Sequence, residues 1–171
     1  MVESKISSTY CFVTNRCNFN CTYCYEKVRT GDMSQETMKA VIDYLIAEHK
    51  KHPTVRANEM SDIAMTFFGG EPLLNWPVVK YGIEYALDCE QNYGIIFSFY
   101  ILTNGSIWTQ EIHDYFATLK KKLGCRFQMQ ISLDGCEVSH DKTRKLKSGD
   151  GTFARVIDNA KKYNSIFKNL S

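Results

Sequence analysis

Apolar and polar positions along the chain fall into eight runs that alternate between two rhythms. Tyr10-Cys11-Phe12-Val13 is a short apolar, β-prone run. Met38, Val41, Ile42, Leu45 and Ile46 then recur at helical spacing, with Ser34 as an N-cap and Glu36 in the first turn. Ile63 to Phe68 predicts a second strand, ended by Gly69-Gly70. Val79, Ile83, Ala86 and Leu87 predict a second helix, with Asn75 as a cap candidate and Pro77 in its first turn. Ile95 to Leu102 and Phe127 to Leu133 predict two more strands, stopped by Asn104-Gly105 and Asp134-Gly135. Ile112, Tyr115, Phe116 and Leu119 mark a third helix, whose end carries Lys120 to Lys122. Phe153, Val156, Ile157, Ala160 and Tyr163 mark a fourth.

This is an α/β pattern of four strand–loop–helix units. The strands are mostly continuously apolar, as in a parallel sheet covered by helices. The unusual residues fall at the C-terminal ends of the strands. They are a cysteine-rich loop, then Gly69-Gly70-Glu71-Pro72, then Thr103-Asn104-Gly105, then Ser132-Leu133-Asp134-Gly135. Active sites of parallel α/β folds sit at that end, so four loops are expected to converge on one face.

Composition narrows the classes. The 171 residues are 44% apolar and 23% charged, which excludes a disordered chain. A formal charge of +2 gives no electrostatic case for nucleic acid or an anionic membrane. No apolar run is long enough to span a bilayer. Met1 to Thr9 is polar and lacks a signal-peptide core, so a cytoplasmic location is expected. Seven cysteines, an odd number, then point to metal or redox chemistry more than to a disulfide framework. Cys11, Cys89, Cys125 and Cys136 are scattered and read as buried or inert thiols, although Cys136 lies close in sequence to Asp134.

Cys17, Cys21 and Cys24 form a C-x3-C-x2-C triplet. Three thiolates on one loop can wrap a compact metal centre, but zinc and a [4Fe–4S] cluster each take four ligands. Either a distant residue, such as one of the four histidines, closes a structural zinc site, or the fourth position stays open for a small molecule.

The triplet, with an aromatic residue before its last cysteine and a strand before it, resembles the signature of the radical S-adenosylmethionine (SAM) superfamily. Gly69-Gly70-Glu71-Pro72 matches that superfamily's GGEP motif. Thr103-Asn104-Gly105, Ser132-Leu133-Asp134-Gly135 and the stretch from His140 through Arg144 to Phe153 resemble its peptide- and protein-modifying branch. That branch includes the anaerobic sulfatase-maturing enzymes and the SPASM-type ribosomal-peptide maturases. The resemblance spans about residues 10 to 160.

It implies a partial (β/α) TIM-like barrel of the radical SAM type and a [4Fe–4S] cluster on Cys17, Cys21 and Cys24, with SAM on the open iron. Tyr23 is then expected near the adenine, and Gly69, Gly70, Glu71, Asn104, Ser132 and Asp134 around SAM. Either Arg144 or Arg155 would meet its carboxylate, since a guanidinium matches a carboxylate at two points. The implied reaction reduces the cluster by one electron, from a donor such as a flavodoxin or ferredoxin. SAM is then cleaved to a 5′-deoxyadenosyl radical that takes a hydrogen atom from a peptide or protein substrate. His140 reads as a local hydrogen-bonding residue, and Lys142 to Lys147 as a solvated loop. Branch members have six units, and the SPASM type adds cysteines for auxiliary clusters. Here four units are visible and no cysteine follows Cys136. Residues 1–171 therefore read as the N-terminal part of such a core, to be completed by further chain or by a partner. The rival readings are a radical SAM enzyme acting on a small molecule or RNA, and a non-catalytic, truncated or zinc-stabilised binding module.

Overall fold

The computed structural model describes residues 6–26 and 30–167. The polar N-terminal segment through Lys5, used above to argue against a signal peptide, lies outside the described residues. Strands β1 (Ser8–Thr14), β2 (Ile63–Gly69), β3 (Phe97–Thr103) and β4 (Phe127–Ile131) form one parallel sheet in the order β1-β2-β3-β4. The helices between and after them are α1 (Gln35–Lys51), α2 (Trp76–Tyr93), α3 (Gln110–Leu123), α4 (Glu137–Thr143) and α5 (Phe153–Phe167). This is the expected partial barrel of four βα units.

Period-two alternation gives the sheet two faces. Cys11, Val13, Ile63, Met65, Phe67, Phe97, Phe99, Ile101 and Phe127 share one buried core with Met38 and Ile42 of α1, Ile83 of α2, Phe116 of α3 and Tyr163 of α5. Burying each such side chain contributes roughly 1.5–3 kcal/mol. The opposite face is wetter: Tyr10, Phe12, Gln128 and Gln130 are exposed on it. Cross-strand register aligns Tyr10, Thr66, Tyr100 and Gln128 in one row of that face.

Two local expectations change. Ser34 caps α1 as expected, accepting from the Thr37 N–H. Asn75 does not cap α2 through its side chain. Its amide donates instead to the carbonyls of Val13 (2.8 Å) and Met33 (3.0 Å), tying α2 to the end of β1. The stretch after Gly135, read as a loop, contains α4. This seven-residue helix buries only His140 and leaves Val138 exposed, so it has no apolar stripe for the sequence to display. Cys11 and Cys89 are buried as expected, whereas Cys125 and Cys136 are exposed at the surface.

Candidate functional site

The cysteine loop is closed at its base. Thr14 ends β1 and its hydroxyl donates to Asp32 (2.6 Å), while the Arg16 guanidinium grips the same carboxylate (Nε 2.8 Å). Asn15 N–H donates to the Gly31 carbonyl, and Met33 N–H to that of Val13. The outgoing and returning strands of the loop are thus stitched together. On its far side the loop pairs with the segment after α4. Asn20 N–H donates to Lys145 O (2.7 Å) and Thr22 N–H to Thr143 O (2.9 Å), and the buried Phe19 is bridged to Leu146 beside them.

The loop after β2 packs directly on this base. Gly70 N–H donates to Thr14 O and Glu71 N–H to Arg16 O, both at 2.9 Å. A Cβ on Gly69 would strike Thr14 O, and one on Gly70 would strike Arg16 O. Gly69 also has φ +131°, a conformation that side-chain-bearing residues avoid. The close approach that requires these glycines is to the Thr14–Arg16 backbone.

Glu71 is completely buried. Its carboxylate accepts from Leu73 N–H (3.1 Å), the Thr103 hydroxyl (2.8 Å) and Asn104 N–H (2.7 Å). Burial pushes its pKa up to about 7, against the pull of these three donors. It is a brace behind the site, joining the loops after β2 and β3.

Asn104 is fixed at both ends of its amide. Its Oδ1 accepts from Ser106 N–H (2.9 Å) and from the Ser106 hydroxyl (2.6 Å). Its Nδ2 donates to Asn18 Oδ1 (2.9 Å) and faces the Cys17 sulfur at 3.7 Å.

Asp134, after β4, gathers three donors: Tyr23 Oη (2.6 Å), Thr143 Oγ1 (3.1 Å) and Arg144 Nε (2.8 Å). Burial alone would raise its pKa, but these partners outweigh that and hold it below the usual carboxylate range. Partial burial and the bond to Asp134 push the Tyr23 phenol up to about 12. The Arg144 guanidinium lies over the Tyr23 ring, 5.5 Å from its centroid. Arg155 is exposed on α5 and stands apart from this group.

His140 is fully buried. Asp134 N–H donates to its Nδ1 (3.3 Å), so a neutral ring carries its proton on Nε2 and donates it to Thr152 Oγ1 (3.0 Å). Thr152 in turn donates to Arg144 O (2.7 Å). Burial and the Arg144 charge lower the His140 pKa, consistent with a neutral ring. Asp141 accepts from Thr152 and Phe153 N–H and opens α5. The His-Asp pair is therefore scaffolding that holds Arg144.

Cys17, Cys21 and Cys24 face one cavity of about 180 Å³ together with Tyr23, Gly69, Gly70, Asn104, Ser132 and Arg144. Nine of the expected site residues thus share a wall, while Glu71 and Asp134 lie behind it as supports. The whole chain between β1 and α5 matches the family model of the radical SAM superfamily, over residues 11–171. The chain belongs to the radical SAM superfamily.

The cofactors of this superfamily are a [4Fe–4S] cluster and SAM. The donor set suits them. No cysteine among the described residues is in a disulfide. No three or more His, Cys, Asp or Glu side chains among the described residues converge on a single ion. A [4Fe–4S] cluster takes one thiolate per iron, so its ligands surround it without sharing a point.

Among curated proteins, the chain is 36% identical over 138 residues to an uncharacterized protein of Methanocaldococcus jannaschii, covering 80% of this chain and 41% of that protein. It is 30% identical over 122 residues to the radical SAM cyclopropyl synthase TigE of Paramaledivibacter caminithermalis, covering 65% of this chain and 25% of TigE. It is 28% identical over 143 residues to the serine-type anaerobic sulfatase-maturating enzyme of Bacteroides thetaiotaomicron, covering 82% and 32%. The chain spans less than half the length of each. A solved structure of anSMEcpe with bound AdoMet and the Cp18Cys peptide superposes with a TM-score of 0.73 at 22% identity. The match covers 93% of this chain and 40% of that one, and it supports the fold. No helix among the described residues is long and apolar enough to cross a membrane.

Sequence reasoning missed the supports of this cavity. Asn18 and Ser106 lock Asn104, Asp32 closes the loop base, and Thr143 backs Asp134. Asn18 sits inside the cysteine motif, a position that singles it out. Asp32 lies in a turn-like Thr-Gly-Asp stretch that carries no distinct signal.

Proposed function

We propose that this chain is the N-terminal part of a radical SAM core whose Cys17, Cys21 and Cys24 hold the [4Fe–4S] cluster, and that the enzyme modifies a peptide or protein side chain. The observation that carries the cofactor assignment is the shared cavity wall of the three thiols with Gly69, Gly70, Asn104, Ser132 and Arg144. The peptide assignment draws on the sulfatase-maturating and cyclopropyl synthase relatives. It is also supported by the peptide bound in a neighbour of the same fold.

When bound, the reduced cluster and SAM supply a 5′-deoxyadenosyl radical, the hydrogen-abstracting agent of this chemistry. The protein binds and orients. Arg144 offers its terminal Nη pair to the methionyl carboxylate, its Nε edge being taken by Asp134. The Gly69-Gly70 backbone supplies carbonyl acceptors for the ammonium. Ser132 offers a polar contact to the sugar or the amino-acid end, while Asn104 lines the wall with its amide already engaged by Asn18, Ser106 and Cys17. Tyr23, steered by Asp134 and Arg144, presents its ring to the adenine. A flavodoxin or ferredoxin supplies the electron, in a cytoplasmic setting suited to an oxygen-sensitive cluster.

Electron paramagnetic resonance on anaerobically reconstituted, dithionite-reduced protein tests this reading. A [4Fe–4S]+ signal that changes on adding SAM, and is absent when all three cysteines are alanine, is the expected result. Bound zinc with no cluster overturns it. Peptide modification is then read by mass spectrometry in the full-length enzyme with SAM, reductant and short peptides encoded beside its gene. A product on a small molecule or RNA alone overturns the peptide assignment.

A further inference from the structure

We infer that the side-chain amide of Asn104 is a fixed hydrogen-bond donor to the Cys17 sulfur that makes the cluster easier to reduce. This rests on the cluster assignment above and adds to it a residue that sets the potential.

The orientation of an asparagine amide normally has to be chosen, because its oxygen and nitrogen look alike. Here it is dictated. Ser106 N–H can only donate, and it meets one end of the amide at 2.9 Å, so that end is Oδ1. The Ser106 hydroxyl meets the same atom at 2.6 Å. The other end must be the NH2 group, and it points at Asn18 Oδ1 and at Cys17 Sγ. Asn18 Nδ2 then donates to Ser106 Oγ (2.7 Å), which closes a ring of three side chains. Glu71 fixes the backbone of Asn104 from behind (2.7 Å). Asn104 is 7% exposed, which leaves little of the residue to solvent. Cys17 also accepts from Phe19 N–H at 3.4 Å, and the Asn104 amide adds a side-chain donor to the same sulfur.

Reduction adds negative charge that spreads onto the cluster sulfurs. A donor aimed at a ligand sulfur stabilises the reduced form more than the oxidised one and raises the potential. Asn104 is thus a positioning and tuning residue. It need not touch SAM or substrate to act.

The test is a potentiometric titration of the reconstituted protein, followed by electron paramagnetic resonance, for wild type, Asn104→Ala and Asn104→Asp. Asn104→Ala removes the donor. Asn104→Asp keeps the shape and the acceptor for Ser106 but puts an oxygen against the sulfur. Both are expected to be harder to reduce, Asn104→Asp more so. The reduced-to-oxidised ratio at fixed solution potential should fall about tenfold, equivalent to ~59 mV for one electron. Ser106→Ala, which loosens the ring without facing the sulfur, should shift the same way by less. Equal potentials in cluster-loaded wild type and variants overturn the inference and leave the cluster assignment standing. If neither Asn104 variant holds iron, the Ser106→Ala potential decides, and an unchanged value overturns the inference. A wild type that binds no cluster overturns both.

Discussion

Tyr23 and Asp134 lie 111 residues apart in sequence and 2.6 Å apart in space. Their bond joins the cysteine loop to the loop after β4, and Arg144 completes the group by binding Asp134 and covering the Tyr23 ring. Removing the charge at the centre should matter more than removing one donor. Asp134→Asn is expected to cost about 1–3 kcal/mol and Tyr23→Phe about 1 kcal/mol, since Tyr23 is half exposed. Urea denaturation of both variants checks the order, and equal losses would contradict the central role of Asp134.

The two arginines left open by the sequence are separated by the fold. Arg144 faces the cavity and Arg155 the solvent. Arg144→Ala, and to a lesser extent Arg144→Lys, should weaken SAM binding by about tenfold or more, because Lys cannot make a two-point contact. Arg155→Ala should leave it unchanged. Equilibrium dialysis with labelled SAM on cluster-loaded protein reads both.

Gly69→Ala and Gly70→Ala should each destabilise the protein by about 1–3 kcal/mol or more, since the added methyl meets backbone oxygen on β1's exit loop. The same variants should lose iron on reconstitution, because the displaced segment carries Cys17. Thermal melts and iron content measure the two effects separately.

Two buried groups give opposite pH slopes. Glu71 has its pKa raised from 4.5 to about 7, so between those values the folded state holds more protons than the unfolded one. Its contribution to stability falls as pH rises through that window. His140 has its pKa lowered from 6.5, so below that value the unfolded state holds more protons. Its contribution falls as pH drops. Relative to wild type, Glu71→Gln should therefore make stability rise more steeply with pH between about 4.5 and 7. His140→Gln should flatten the decline below 6.5. Denaturation midpoints at several pH values report each slope, and a change of the opposite sign refutes the assignment.

The strands and long helices were legible because their apolar spacing is their reason for existing. Val79, Ile83 and Ala86 had to face a core, and they do. The cavity-facing residues were legible because unusual residues after strands have few structural uses. Glu71 was visible, but its position behind the wall was not, since a carboxylate in a glycine turn reads alike whether it meets a ligand or its own backbone. Helix α4 was hidden because its one buried residue, His140, is polar. The ring of Asn18, Asn104 and Ser106 was hidden because 88 residues separate two of its members.

The pairing of Asn20 with Lys145 and of Thr22 with Thr143 has a consequence for synthesis on the ribosome. The three cysteines emerge early, but the segment that clasps their loop emerges near the end of the four-unit sheet. A nascent chain that has reached only α3 carries the thiols without their socket. Iron delivered then would meet a floppy peptide, open to wrong metals and to oxidation. With the cluster on these cysteines as proposed, cofactor loading would be a late event in biogenesis, and ribosome-bound intermediates halted before Thr143 should retain no iron where those halted after α5 retain it.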